Sequence, residues 1–254
     1  MDNNNNFDWA QKSVFVQPET GTVAKKFFAS VFLWMFIALG LSTLAAYFMA
    51  STPEFMSYLI RFDAEGNARG MSILGYVAMF APLGLVLLMS AGLSRLSFNA
   101  LVGVFLLYSL LTGVSLSFIL LTYTAASVVS CFAAAAGIFG IMAILGYTTD
   151  VDLSKFGPIL MIGVVGLIIA SLVNMFIQSE SFSLFMAFIG IAIFTALTAY
   201  DVQKLKRIGE GIEENGSAIA AADTKKLAIM GALSLYLDFL NIFIYLLRIF
   251  GNRR

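Results

Sequence analysis

Apolar residues gather into long unbroken runs separated by short polar stretches, and seven such runs lie near Phe27–Ala50, Met71–Ala91, Ala100–Thr122, Ala125–Tyr147, Phe156–Ile177, Phe182–Val202 and Leu227–Leu247. About 20 residues at a rise of about 1.5 Å each span the roughly 30 Å hydrocarbon core of a bilayer, so each run is long enough to cross as a helix. A transmembrane strand would instead alternate apolar and polar positions over about ten residues. The pattern therefore predicts an all-α polytopic membrane protein, a seven-transmembrane-helix bundle. The first run is longer than the apolar core of a signal peptide and no small-residue cleavage pattern follows it, so it reads as a retained helix.

Connections are short except at two places, the loop Ser51–Gly70 with Pro53 and Gly66-Asn67, and the polar segment Gln203–Lys226. Residues 1–24, with the run Asn3–Asn6, read as a polar mobile tail, and residues 25–254 as a single transmembrane domain. Composition agrees: 60% of residues are hydrophobic and 12% charged, which excludes a disordered chain, a soluble domain and a nucleic-acid binder. Membrane lipid is the partner that such a surface requires.

The formal charge is zero, 15 basic against 15 acidic residues, but the distribution is uneven. With the amino terminus inside, the inner side collects Lys12, Lys25, Lys26, Arg95, Lys155, Lys204, Lys206, Arg207, Lys225 and Lys226. The outer side then holds Arg61 and Arg69, with Arg248, Arg253 and Arg254 if the last run crosses fully. Excess Lys and Arg mark the cytoplasmic side, so a cytoplasmic amino terminus is expected. The basic carboxy tail leaves a half-inserted last helix open. The lone Cys131 lies in an apolar run and reads as a small hydrophobe.

Two carboxylates interrupt the spans. A charge near the bilayer centre costs about 2.5–3.5 kcal/mol on insertion scales, so an intramembrane acid is a functional candidate. Asp238 is nearly central in the seventh run and Asp201 closes the sixth. At 3.6 residues per turn, Ser234, Asp238, Asn241 and Tyr245 share one face; Thr195, Thr198 and Asp201 form a broader arc on the sixth helix, and Ser171, Asn174 and Gln178 one on the fifth. These stripes either line a common polar interior, with Asn241, Ser234, Thr198 and Asn174 along it, or serve as helix-packing contacts. Asp201 has a plainer reading as an interfacial partner of Lys204 and Arg207, and it lies nearer the end of its run than Asp238 does. Arg95 reads either as a positive-inside anchor or as a side chain reaching toward the carboxylates.

Around these residues the chain resembles the Bax inhibitor family of seven-helix membrane proteins. The resemblance rests on Tyr200-Asp201-Val202-Gln203 and on the stretch Ala232-Leu233-Ser234-Leu235-Tyr236-Leu237-Asp238-Phe239-Leu240-Asn241-Ile242-Phe243, continuing through Leu246-Leu247-Arg248. It implies a calcium-leak channel, pH-sensitive in bacterial members, with Asp201 and Asp238 as a paired-aspartate latch and transient calcium ligands, and Arg95 as the arginine that contacts them. It implies no cofactor, calcium being the permeant ion, and a bacterial inner membrane. Two departures stand out: an insertion around Gly209–Ala222 lengthens the segment between the aspartates, and no acid stands early in the second helix.

The chain has no histidine, the side chain that ordinarily changes charge between about pH 5 and 8. Two adjacent carboxylates in a low dielectric do not both ionise readily and hold a shared proton, which offers another route to pH response. A protonated pair would tie the sixth and seventh helices together, and its deprotonation would part them and leave oxygens for a cation. Calcium takes about 6–8 oxygens, of which two aspartates supply at most four. A proton-coupled secondary transporter would use the same carboxylates. An intramembrane aspartyl protease is a remote alternative, because Leu235-Tyr236-Leu237-Asp238 replaces the Gly-x-Gly-Asp of that class, and no other enzymatic constellation is present. Asp150-Val151-Asp152 lacks the glycine and glutamate of a calcium-binding loop and reads as a turn.

Overall fold

The computed structural model describes residues 21–63, 68–215 and 221–253. Most of the Asn-rich tail, the Gly66-Asn67 turn and Arg254 lie outside them. Eight α-helices occur among the described residues: α1 (Thr22–Ser51), α2 (Pro53–Leu59), α3 (Ile73–Gly92), α4 (Phe98–Thr122), α5 (Ala125–Thr148), α6 (Gly157–Ile177), α7 (Glu180–Asn215) and α8 (Ala221–Phe250). All but the short α2 are long and apolar enough to cross a membrane. The protein is an all-α polytopic membrane protein.

Helix starts follow local chemistry. Ser72, Ser97 and Thr124 each accept a hydrogen bond from the backbone N–H three residues on, at the starts of α3, α4 and α5. Pro158, in the first turn of α6, stands where its missing N–H has no intrahelical partner to lose. The Ser51–Gly70 connection is more ordered than a plain loop: α2 is followed by a small antiparallel pair, β1 (Ile60–Phe62) and β2 (Ala68–Met71), with Ile60 opposite Met71.

The polar Gln203–Lys226 segment is corrected more substantially. The apolar run ends at Val202 but its helix does not: α7 continues to Asn215 and α8 begins at Ala221. Lys204, Arg207, Glu210 and Glu213 carry no hydropathy signal but are compatible with helix, and the extension has a partner. The Glu213 carboxylate accepts the N–H groups of Gly21 and Ala24, which lie at the uncapped start of α1.

This contact puts the end of α7 beside the start of α1. At the opposite end of the bundle, Thr124 N–H donates to the Asn252 carbonyl at 3.0 Å and Arg253 pairs with Glu180 at 3.3 Å. The carboxy terminus of α8 thus sits with the α4–α5 turn and the start of α7. The last helix therefore runs the full length of the bundle.

The centre of the bundle is α8, which packs against α1, α4, α5 and α7. About 67% of its spanning window is buried, against 6% for α6, which leans mainly on α7 at the periphery. Leu235, Tyr236, Ile242 and Leu247 of α8 are closed off from the surface. The free Cys131 is buried on α5.

Candidate functional site

The site is built on the antiparallel contact of α7 and α8. Gly190 lies against the Tyr245 ring and Gly231 against Leu205, each so closely that a Cβ there would collide with the facing side chain. Small residues of this kind let helices approach in a membrane. This register sets Asp201 opposite Ser234 and Leu235, so Asp238 lies one turn along α8 from it. The apparent difference in depth arises because the apolar run, unlike the helix, ends near Asp201.

Asp238 is 4% exposed and Asp201 half-buried. The two carboxyl groups interact electrostatically, and Lys204, on the next turn, is the cation acting on Asp201. Asp238 Oδ2 is buried with no hydrogen-bond partner among the described residues. Buried polar atoms are almost always paired, so this orphaned carboxylate oxygen beside a second acid marks a place suited to a proton, a water or a cation.

The other polar candidates divide. Ser234 and Asn241 are half-buried on the Asp238 face of α8, and Asn241 donates to its own helix at Leu237 O, 2.8 Å away. Thr198 is fully buried and likewise bonded to Phe194 O at 2.8 Å. Asn174 is not brought to the pair. It stands at the far end of α6, where its Oδ1 accepts Ser179 N–H at 3.2 Å beside Gln178, whose φ is 54°. Arg95 is exposed in the α3–α4 turn, held there by its own N–H on Gly92 O, and no ion pair joins it to either aspartate.

Gln203 is a structural neighbour that the sequence reading passed over as loop. It is buried, donates to Val151 O at 2.7 Å and accepts Leu153 N–H at 2.8 Å, fastening the α5–α6 turn to α7 two residues beyond Asp201. Arg207 adds a 2.5 Å ion pair with Asp152. Hydrogen bonds from Ser154 and from Arg207 hold the Asp152 carboxyl down at about 2. Ser154, Tyr200, Gln203, Lys204, Arg207 and Ile208 line a cavity of about 280 Å³ at the end of the bundle where α1 starts.

A second polar cluster went unnoticed. Tyr236 Oη lies 2.6 Å from Ser42 Oγ, and the Ser42 hydroxyl reaches the Ser109 carbonyl at 2.7 Å, joining α8, α1 and α4. Its signal was the isolated serines in two apolar runs. Among the described residues no group of three or more His, Cys, Asp or Glu is placed to hold a metal ion, so any cation at the pair would also draw on hydroxyl, amide, carbonyl or water oxygens.

Fold and site together define a polytopic helical membrane protein with a carboxylate pair inside its bundle. The family model described as "Inhibitor of apoptosis-promoting Bax1" matches residues 24–254, and the chain belongs to this Bax inhibitor family. It is 41% identical over 239 residues to the inner membrane protein YbhL of Escherichia coli (strain K12), covering 94% of this chain and 96% of that one. An uncharacterized protein of Borreliella burgdorferi is 38% identical over 91% of this chain and 94% of its own. An uncharacterized membrane protein of Streptococcus pyogenes serotype M6 is 34% identical over 94% and 97%.

Proposed function

We propose that this protein is a pH-modulated calcium-leak channel of the bacterial inner membrane, gated by Asp201 and Asp238, and not an enzyme. The observation that carries the reading is the buried, partnerless Asp238 Oδ2 beside a second carboxylate. One shared proton satisfies that oxygen and joins α7 to α8. Its loss at higher pH leaves two negative charges in a low dielectric, and their repulsion loosens the seam. The freed oxygens then suit calcium, with Ser234, Asn241, Thr195, backbone carbonyls and water completing about 6–8 ligands during passage. Family membership and the relation to an inner membrane protein support the setting. The end of the bundle where α1 starts carries Lys25, Lys26, Arg95, Lys155, Lys204, Lys206, Arg207, Lys225 and Lys226, which supports a cytoplasmic amino terminus.

The test is calcium efflux from liposomes at a series of pH values. Wild-type flux is expected to rise as pH increases across the neutral range, and the Asp201→Asn/Asp238→Asn double variant to give a flat profile, because its amides hydrogen-bond without titrating. A double variant that retained the wild-type pH response would sink the gate. Flux that follows an imposed proton gradient, rather than pH itself, would replace the channel by a proton-coupled transporter using the same carboxylates.

Asp152 provides an internal control. Its depressed value means that the stabilisation from its pairing is present above the ordinary value of 3.8 and is lost only as pH falls toward about 2. The carboxyl is ionised throughout the neutral range. Asp152→Asn is therefore expected to leave the midpoint of the flux profile where it is, whatever it does to amplitude; a midpoint shifted by a full pH unit would implicate the α5–α6 turn in sensing.

A further inference from the structure

Between α1 and α5 lies a groove of about 1090 Å³ whose floor is formed by Phe239 of α8. Its volume is at the upper end of the roughly 300–1,000 Å³ of ordinary ligand sites. Its lining runs along α1 from Lys25 to Leu44, about 28 Å of helix at 1.5 Å per residue, so it follows the bilayer normal for most of the hydrocarbon thickness.

Two features separate this groove from an ordinary packing seam. Small residues in membrane helices usually permit close backbone approach, as Gly113 and Gly146 do here. Gly40 and Gly140 line the groove, and a Cβ at either would meet nothing within 4 Å. They hollow the surface without touching a neighbouring helix. Moreover, both threonine hydroxyls on the lining are already bonded to their own helices, Thr43 to Leu39 O and Thr148 to Ile144 O, each at 2.8 Å. The interior thus offers a polar solute no free threonine hydroxyl donor, and its otherwise apolar walls fit hydrocarbon.

The mouth is different. Lys25 lines it at the start of α1. Lys206, from the extended part of α7, lies over the Tyr147 ring at 5.2 Å and donates to Tyr147 O at 3.0 Å, and Tyr147 is itself on the lining. Neither lysine forms an ion pair with a described acidic residue. Glu213, the acid that reaches the first turn of α1, is bound instead to backbone N–H groups. Two ammonium groups and a tyrosine at the mouth of an apolar channel complement an anionic headgroup above a hydrocarbon tail.

We propose that the α1–α5 groove is a binding site for one anionic phospholipid of the leaflet on the amino-terminal side, with an acyl chain laid against Phe239 and the headgroup phosphate over Lys25 and Lys206. Half the bilayer is about 15 Å, so the chain end reaches the level of Phe239, the residue next to Asp238. The lipid is thereby a structural neighbour of the helix that carries the carboxylate.

The experiment is native mass spectrometry of the full chain, delipidated in mild detergent and titrated separately with phosphatidylglycerol and with phosphatidylcholine of the same acyl chains. Wild type is expected to retain one phosphatidylglycerol with at least a tenfold preference over phosphatidylcholine. Gly140→Phe fills the groove from a position with open space and is expected to lose both lipids while melting at the wild-type temperature. Lys25→Gln/Lys206→Gln leaves the groove intact and is expected to bind the two lipids equally. Equal affinity of wild type for both lipids, or undiminished phosphatidylglycerol binding by either variant, would overturn the proposal.

Discussion

At alkaline pH, where the pair has lost its shared proton, Asp238→Leu is expected to raise the melting temperature of the detergent-solubilised protein by about 5 °C and, in the same molecule, to flatten the pH profile of calcium flux. Asp238 is buried at the centre of the bundle and its Oδ2 has no hydrogen-bond partner among the described residues. An unsatisfied buried polar group costs about 1–3 kcal/mol, and removing one of two like charges in a low dielectric also relieves their repulsion. For a chain of this size each kcal/mol moves the melting temperature by about 2–4 °C. Asp238→Asn keeps the shape but retains polar atoms to satisfy, so its gain should be smaller. A melting temperature that fell in the leucine variant at that pH would mean that the deprotonated carboxyl has a stabilising partner in the folded protein. The expected combination, more stable and unresponsive, is the trade that a site selected for function imposes.

Gly146→Val should act in the opposite direction. A Cβ at Gly146 would meet the Ala199 backbone, with Cα at 2.8 Å and the carbonyl carbon at 2.9 Å. No side chain can rotate away, so α5 and α7 must separate two residues before Asp201. Overpacking of this kind costs about 1–3 kcal/mol, which predicts a fall of about 2–12 °C. The same helix supplies a control. At Gly137 a Cβ meets nothing within 4 Å, and Gly137→Ala should stabilise by up to about 1 kcal/mol through helix propensity alone. Thermal melts of the two variants distinguish a helix–helix contact from a general effect of glycine replacement, and equal shifts would rule out the contact.

Seven crossings were legible because a bilayer demands long apolar segments and the chain provides them without interruption. The two aspartates were legible for the complementary reason, that acids are costly there. Other features depend on facts that a linear pattern does not hold. The helical extension Gln203–Asn215 is polar on its surface and read as loop, and its contacts with the start of α1 and with the α5–α6 turn explain its order. Asn174 and Arg95 had suitable chemistry, but their levels in the bundle are set by helix ends and turns, the one at the α6–α7 turn and the other in the exposed α3–α4 turn. Gln203 was counted as the first residue of a connection, although its amide is what fastens the α5–α6 turn beside Asp201. Residue type suggested candidates; depth and facing partner sorted them.

The centrality of α8 has a consequence for biogenesis. Chains are made from the amino terminus at about 5–20 residues per second, so of the eight helices the one that touches α1, α4, α5 and α7 is the last to leave the ribosome. Until then its four neighbours have no common partner, and the face that will meet Asp238 is turned toward lipid or toward other proteins. Assembly is therefore a late, concerted closure around the final segment. A chain interrupted in the α7–α8 connection would carry six complete crossings and still lack the helix around which they pack.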